Sequence, residues 1–342
     1  MERHAMREGG EPVIAIWAAA SPFLPAALRA LDHAGVPYVV LPDDPGEPGA
    51  DGLGRAAGAE ALVVGGAEVS RTLLSSLPRL RLVVRAGVGV DRMDLEAATE
   101  LGVLVTNVPD YATDEVADHA VLLMLAAVRR LAHFQASTRA DWVTVDRPPV
   151  MRLRGSRLGI VGLGRIGTAT AGRARALGMD VVAHDPYVAA DAFTRAGVAP
   201  VSFDELLAGS DVISLHAPLT ADTHHLLGRA AFARMRRAPV VVNTARGGLV
   251  DTAALVEALD TGVVRAAGLD VLEDEHDVGR HAALLGRADV VVTPHVAWYS
   301  QGSEQQLGAS AARIALDFVQ RGVRPPVLNP HREPNPTSEV TP

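Results

Sequence analysis

Eleven short apolar runs, rich in valine and isoleucine, recur along the chain and are separated by Ala-, Leu- and Arg-rich stretches of helical period. The first five are VIAIW (13–17), YVVL (38–41), ALVVG (61–65), LVVRA (82–86) and VLVTN (103–107). After a gap come RLGIVG (157–162), DVVAHD (180–185), DVISLH (211–216), PVVVNT (239–244), RAAGLD (265–270) and DVVVTPH (289–295). Strands that read as continuous apolar runs are buried on both faces, and helices between them impose parallel βα crossovers. The two groups predict two parallel sheets.

The 342 residues suffice for two such cores. Between the groups, Asp114 and Glu115 open a long helical pattern that ends at VRRL, followed by a loop containing DRPP (146–149). A second helical pattern, carrying Leu307, Ala311, Ile314 and Phe318, precedes the polar, Pro-rich stretch 331–342, which is expected to be disordered.

Composition removes several chemistries. There is no cysteine and no lysine, so disulfides, thiolate nucleophiles, Cys-ligated zinc, Schiff bases and a P-loop lysine are all excluded. A net charge of −8 gives no electrostatic footprint for nucleic acid or an anionic membrane. The run AVLLMLAAV (120–128) is far short of the roughly 20 residues of a membrane span. The polar MERHAMREGGEP start lacks a signal-peptide core, and a cytoplasmic protein is expected.

The second group opens with VGLGRIG, placing Gly162, Gly164 and Gly167 between a strand and a helix. In G-x-G-x-x-G the first glycine makes a tight turn, the second admits a pyrophosphate, and the third lets helix pack on strand. Alone such glycines can be merely structural. Asp185, roughly 20 residues further on at the end of the second strand, is placed to accept from ribose hydroxyls and to repel a 2′-phosphate. NAD is therefore expected over NADP.

Three later segments end strands of the same sheet, on the edge where open α/β sheets bind ligands. NTARGG carries Arg246, GLDVLEDE carries Glu275, and TPHVAWYS carries His295. An arginine fork suits a substrate carboxylate. A histidine can exchange a proton with a hydroxyl or carbonyl, and a carboxylate behind it fixes its tautomer. Each also has a plain reading: a loop arginine, one acid among several in EDEHD, and a strand-end histidine.

In order behind GLGRIG, the motifs NTARGGLVD, GLDVLEDE and TPHVAWYS resemble the D-2-hydroxyacid dehydrogenase family. RAGVGVDRMDLEAATELGVLVTNVPDYATDEVADHA resembles its substrate-domain half, and the likeness spans about residues 80 to 325. HHLL, NTARGGLVD and PHVAWYS are similar to the branch that holds the C-terminal-binding proteins, NAD(H)-dependent corepressors. The resemblance implies a Rossmann-type doubly wound sheet (110–299) inserted into a smaller flavodoxin-like substrate domain (1–109 and 300–330). It implies an NAD(H)-dependent oxidoreductase that interconverts a 2-oxo acid and a D-2-hydroxy acid, working as a homodimer without a metal. The alternative is an NAD(H)-sensing scaffold of the corepressor type.

By the same resemblance, Arg246 anchors the carboxylate, His295 is the acid/base and Glu275 its partner. Arg85, Val88, Gly89 and Trp298 fall where the family contacts substrate. Arg165, Ile166, His216, Pro218, Thr223, Thr244, Ala245 and Asp270 fall where it lines the cofactor. Two departures stand out. His276 follows Glu275 where the family usually has proline, and the first 80 residues bear little likeness.

Overall fold

The computed structural model describes residues 13–18, 20–42, 49–140, 146–275 and 277–329. The polar stretch 331–342 lies outside them, as does His276. The chain divides into two compact units, one formed by 1–111 with 300–342 and the other by the continuous segment 112–299.

In the first unit the strands are β1 (Ile14–Trp17), β2 (Tyr38–Leu41), β3 (Ala61–Val64), β4 (Leu82–Arg85) and β5 (Leu104–Asn107). All pair in parallel, in the order β2-β1-β3-β4-β5, which is the flavodoxin-like doubly wound order. Alternate residues serve opposite faces. Ala15, Trp17, Leu62, Val64, Val83 and Val105 join one core, packed with Leu73, Leu74 and Ala97 from the helices Arg71–Ser76 and Leu95–Glu100.

The intervening residues Ile14, Ile16, Ala61, Val63, Leu82 and Val84 are also completely buried. The helices Leu24–Ala34 and Gln301–Arg321 pack together, and the latter lies against β3 and β4. The last helix therefore returns the chain to the first unit. Ser300 and Ser303 form a capping box at its start, and Gly322, at φ 65°, ends it in a left-handed turn.

The second unit contains β6 (Arg157–Val161), β7 (Asp180–His184), β8 (Ala199–Pro200), β9 (Val212–Leu215), β10 (Val240–Asn243), β11 (Ala266–Leu269) and β12 (Val290–Val292). Among the described residues they form one parallel sheet in the order β12-β11-β10-β9-β6-β7-β8. Counted within the unit and read from the β8 edge, this is 3-2-1-4-5-6-7, the Rossmann order with one strand added. Both faces are covered. Leu158, Ile160, Val212, Val240, Val242 and Ala266 pack with the helices Thr113–Val128 and Arg165–Ala176. Val161, Ile213, Leu215, Val241, Ala267 and Leu269 pack with Leu206, Leu207, Leu255 and Leu259 on the other side. Each such Val, Leu or Ile contributes about 1.5–3 kcal/mol by leaving water, and this burial drives the second unit to fold.

All eleven expected strands are present, ten of them trimmed by two residues at most and DVVVTPH (289–295) shortened to Val290–Val292. Elements that were not anticipated include the two-residue edge strand β8, the helix Leu131–Ala140 and the short 3-10 turns Gly247–Leu249 and Val278–His281. Among the described residues no helix is long and apolar enough to cross a membrane.

Candidate functional site

In the Rossmann order the sheet reverses between β6 and β9, and the crevice beyond their carboxyl ends is where such sheets bind ligands. The glycine loop occupies that point. Gly162 has φ +93°, and a Cβ there would sit 2.7 Å from the His216 carbonyl carbon, beyond β9. A Cβ on Gly167 would sit 2.1 Å from the Gly162 oxygen, so the helix can start so close to the strand only with glycine there. Gly164 differs. It caps the 12-residue helix Arg165–Ala176, and a Cβ on it would meet nothing within 4 Å. Its open face borders the helix N-terminus, whose free N–H groups and dipole attract phosphate. Arg165 is exposed and Ile166 half-buried at the same helix start.

Asp185 follows β7 and holds the loop from the side. Its Oδ2 accepts from Leu163 N at 2.8 Å and its Oδ1 from Tyr187 N at 2.9 Å. A carboxylate has about four acceptor sites, so capacity for ribose hydroxyls remains. Burial pushes the His216 ring down to about 4, making it neutral near pH 7, and its Nε2 lies 2.9 Å from Ser214 Oγ. Thr223 Oγ1 donates to Pro218 O at 2.7 Å and accepts from Thr220 N, which shapes the loop after β9. Beyond β10, the Thr244 Oγ1 is buried with no hydrogen-bond partner. A buried hydroxyl left unpaired is costly, and a bound ligand would satisfy it. The open glycine face, the helix terminus and the orphaned hydroxyl together fit a dinucleotide.

Arg246 begins two residues further along that loop. Asn243, almost fully buried, brackets the turn: its Oδ1 accepts from Ala245 N at 3.0 Å and its Nδ2 donates to Arg246 O at 2.8 Å. The half-buried Arg246 side chain donates from Nη1 to Ala245 O at 2.7 Å. After β11, Glu275 Oε2 meets His295 Nδ1 at 2.8 Å. Burial raises the Glu275 carboxyl, but the His295 hydrogen bond and charge, the Leu272 backbone and the Arg246 charge outweigh it, leaving a net lowering. The carboxylate is thus ionised at neutral pH and can only accept. Nδ1 must then carry the proton, and Nε2 is left facing outward.

His295 sits at φ +54°, a left-handed conformation uncommon for a residue with a side chain. Asp270, 1% exposed, imposes it. Its Oδ1 accepts from Thr293 Oγ1 at 2.6 Å and Val296 N at 3.0 Å, and its Oδ2 from Ala297 N at 2.8 Å. His295 N in turn donates to Asp270 O at 2.8 Å, and Trp298 Nε1 to His295 O at 3.0 Å. From the helix Thr113–Val128, His119 Nε2 reaches Thr293 Oγ1 at 2.9 Å. Sequence reasoning missed Asn243, His119 and the bracing role of Asp270. For Asn243 a signal existed, since Asn before a sharp turn commonly bonds the backbone two residues on.

The expected substrate-side residues of the first unit follow β4. Arg85 closes that strand and its guanidinium bonds to the Ala86 carbonyl. Gly87 has φ +144°, a conformation that residues with a side chain rarely adopt. Val88 is exposed, Gly89 is partly exposed, and Val88 O accepts from Asn107 Nδ2 at 2.6 Å.

Residues 121–297 match the NAD-binding domain of the D-isomer specific 2-hydroxyacid dehydrogenases. The chain belongs to this family. Its matched segment is the family's NAD-binding domain, and it covers most of the second unit. Relatives include D-3-phosphoglycerate dehydrogenases of Archaeoglobus fulgidus, 41% identical over 79% of this chain and 51% of the relative, and of Mycobacterium leprae, 42% identical over 78% and 51%. The chain thus spans about half the length of the curated relatives it matches. Among solved structures, a glyoxylate reductase from Paecilomyes thermophila superposes with a TM-score of 0.83 at 30% identity, covering 94% of this chain and 98% of that one. A D-lactate dehydrogenase from Aquifex aeolicus, complexed with NAD and lactic acid, superposes with a TM-score of 0.79 at 30% identity, covering 90% and 96%. This family member shares with them an α/β architecture of two domains with parallel sheets.

Proposed function

We propose that the protein catalyses the NAD(H)-dependent interconversion of a 2-oxo acid and a D-2-hydroxy acid. The observation that carries this reading is the 2.8 Å Glu275–His295 pair, with the Arg246 charge acting on it, at the same sheet edge as the glycine loop. Bound NADH would supply the hydride for reduction and NAD would accept it in oxidation. Arg246 presents a planar fork to the substrate carboxylate. In reduction His295 Nε2 donates a proton to the carbonyl oxygen as it becomes a hydroxyl; in oxidation it takes that proton back. Glu275 keeps the ring oriented and stabilises the imidazolium. The first unit, with Arg85, Val88 and Gly89, is assigned to the substrate side, and a homodimer is the inferred assembly.

The test is NADH consumption across a panel of 2-oxo acids, comparing the wild type with His295→Ala after NADH binding has been measured for both. The panel includes pyruvate, glyoxylate and the oxo form of 3-phosphoglycerate, because the relatives' names point to acids of these sizes. Turnover to the D-isomer, lost in the variant with NADH affinity kept, is the expected result. A second reading, an NAD(H)-sensing scaffold of the corepressor branch, rests on HHLL, NTARGGLVD and PHVAWYS. NADH binding without turnover, together with NADH-dependent capture of a protein partner, would favour it.

A further inference from the structure

His224, His225 and Glu273 each offer one ligand atom, and these atoms lie within 4.8 Å of one another. None of the three is used by the chemistry proposed above. Adjacent side chains ordinarily diverge, alternating across a strand and separating by about 100° around a helix. Here they do not. His225 takes φ +52°, a left-handed conformation, and the two imidazoles stack with centroids 3.9 Å apart and planes 26° apart. A local backbone outlier that gathers two imidazoles beside a carboxylate is the kind of strain that marks a site.

The three residues are also braced from outside. His225 N donates to Gly248 O at 2.8 Å and Leu227 N to Leu249 O at 2.9 Å, fastening the histidine segment to the turn after β10. Glu273 Oε2 accepts from Thr252 N at 2.9 Å, while Oε1 lies 2.6 Å from His225 Nε2. Burial raises the Glu273 carboxyl, but Thr252 and His225 outweigh it, so it is ionised when a cation arrives. His224 is exposed, which gives the cluster access to solvent.

We propose that His224, His225 and Glu273 form a binding site for a divalent transition metal of the zinc class. Two imidazoles and one carboxylate suit Zn²⁺, whereas Mg²⁺ and Ca²⁺ prefer all-oxygen sets. Two ligands at about 2.0–2.1 Å from a tetrahedral ion lie roughly 3.3 Å apart. The His225–Glu273 pair therefore opens by less than about 1 Å to admit the ion, and His224 closes in from the solvent side. Water would take the fourth position. Glu273 stands two residues before Glu275 and His225 is tied to the turn that follows Arg246, so the ion would rest against both loops of the proposed catalytic set.

The experiment is Zn²⁺ titration by calorimetry of the full chain, stripped with chelator and desalted, for the wild type, His224→Ala and Glu273→Gln. The His224 ring makes no hydrogen bond to another described residue, so its removal leaves the His225–Glu273 bond and the fold in place. One strong site per chain is expected, weakened at least about tenfold in both variants, since even outer-shell losses cost 10–100-fold. Binding should weaken as pH falls, because the ligands must be deprotonated, and Zn²⁺ should raise the wild-type melting temperature more than that of His224→Ala. Equal binding by wild type and His224→Ala, or no saturable one-to-one site, would overturn the proposal. If Glu273→Gln fails to fold, His224→Ala alone decides.

Discussion

Replacing Glu275 by glutamine tests the proposed chemistry most directly. The side chain keeps its size and can still hydrogen-bond to His295 Nδ1, but it no longer carries the charge that favours imidazolium. Two unit charges about 4 Å apart interact by about 4 kcal/mol at an effective dielectric of 20 and by about 1 kcal/mol in water. The His295 and Glu275 side chains are 44% and 35% exposed, which places the pair between these limits and toward the wet one. A value of about 1–2 kcal/mol follows, or a factor of roughly 5 to 30.

Because reduction consumes the imidazolium proton, the sign is definite. In Glu275→Gln, kcat/KM for reduction at neutral pH should fall by about tenfold. Oxidation, which uses the neutral ring, should lose less. The assay is steady-state NADH oxidation at neutral pH on the best acid of the panel, with NADH affinity measured in parallel. Wild-type kcat/KM for reduction with unchanged NADH binding would refute the pairing of Glu275 with the acid/base.

The cofactor cradle makes its own prediction. Gly164→Val should fold, losing a few degrees of melting temperature at most for the poorer helix cap since its Cβ meets open space, yet lose at least about tenfold in NADH affinity by fluorescence titration, because the added methyls occupy the pyrophosphate approach. Gly308→Ala should destabilise the first unit by about 1–3 kcal/mol or more in urea unfolding, because its Cβ would lie 2.2 Å from the Phe23 carbonyl oxygen. His216, pushed down to about 4 from 6.5 by burial, binds its proton more readily unfolded than folded. Stability should therefore decline as pH falls from about 6.5 toward 4, by up to about 3 kcal/mol, and the decline should be shallower in His216→Asn.

The strands were legible because parallel strands buried on both faces need apolar residues at every position, and VIAIW or PVVVNT can hardly be read otherwise. The edge strand Ala199–Pro200 escaped because it is two residues long, exposed and contains proline. The helix Leu131–Ala140 escaped because LAHFQASTRA carries no sustained apolar stripe. Gly162, Gly164 and Gly167 were legible by spacing, and Arg246, Glu275 and His295 by motif. The braces around them were not, for a topological reason. Asp270, His225 and Glu273 act between loops that follow β9, β10, β11 and β12, and only the strand order makes those loops neighbours, whereas Asn243 braces its own turn.

Asp270 shows how the braces and the motif residues depend on each other. Left to itself, a residue at φ +54° would relax toward the ordinary regions, carrying the imidazole away from Glu275. The conformation persists because a buried carboxylate gathers Thr293 Oγ1, Val296 N and Ala297 N around the turn while its own carbonyl takes His295 N. Asp270→Asn would turn an amide N–H toward at least one of those donors, leaving buried groups unpaired at about 1–3 kcal/mol each. The free energy released by relaxing the strained turn works in the same direction. Asp270→Asn should therefore retain its far-ultraviolet circular dichroism yet lose turnover more severely than Glu275→Gln, because it displaces the whole ring instead of removing one charge. A folded Asp270→Asn protein with wild-type turnover would mean that the left-handed turn is held by something other than this carboxylate.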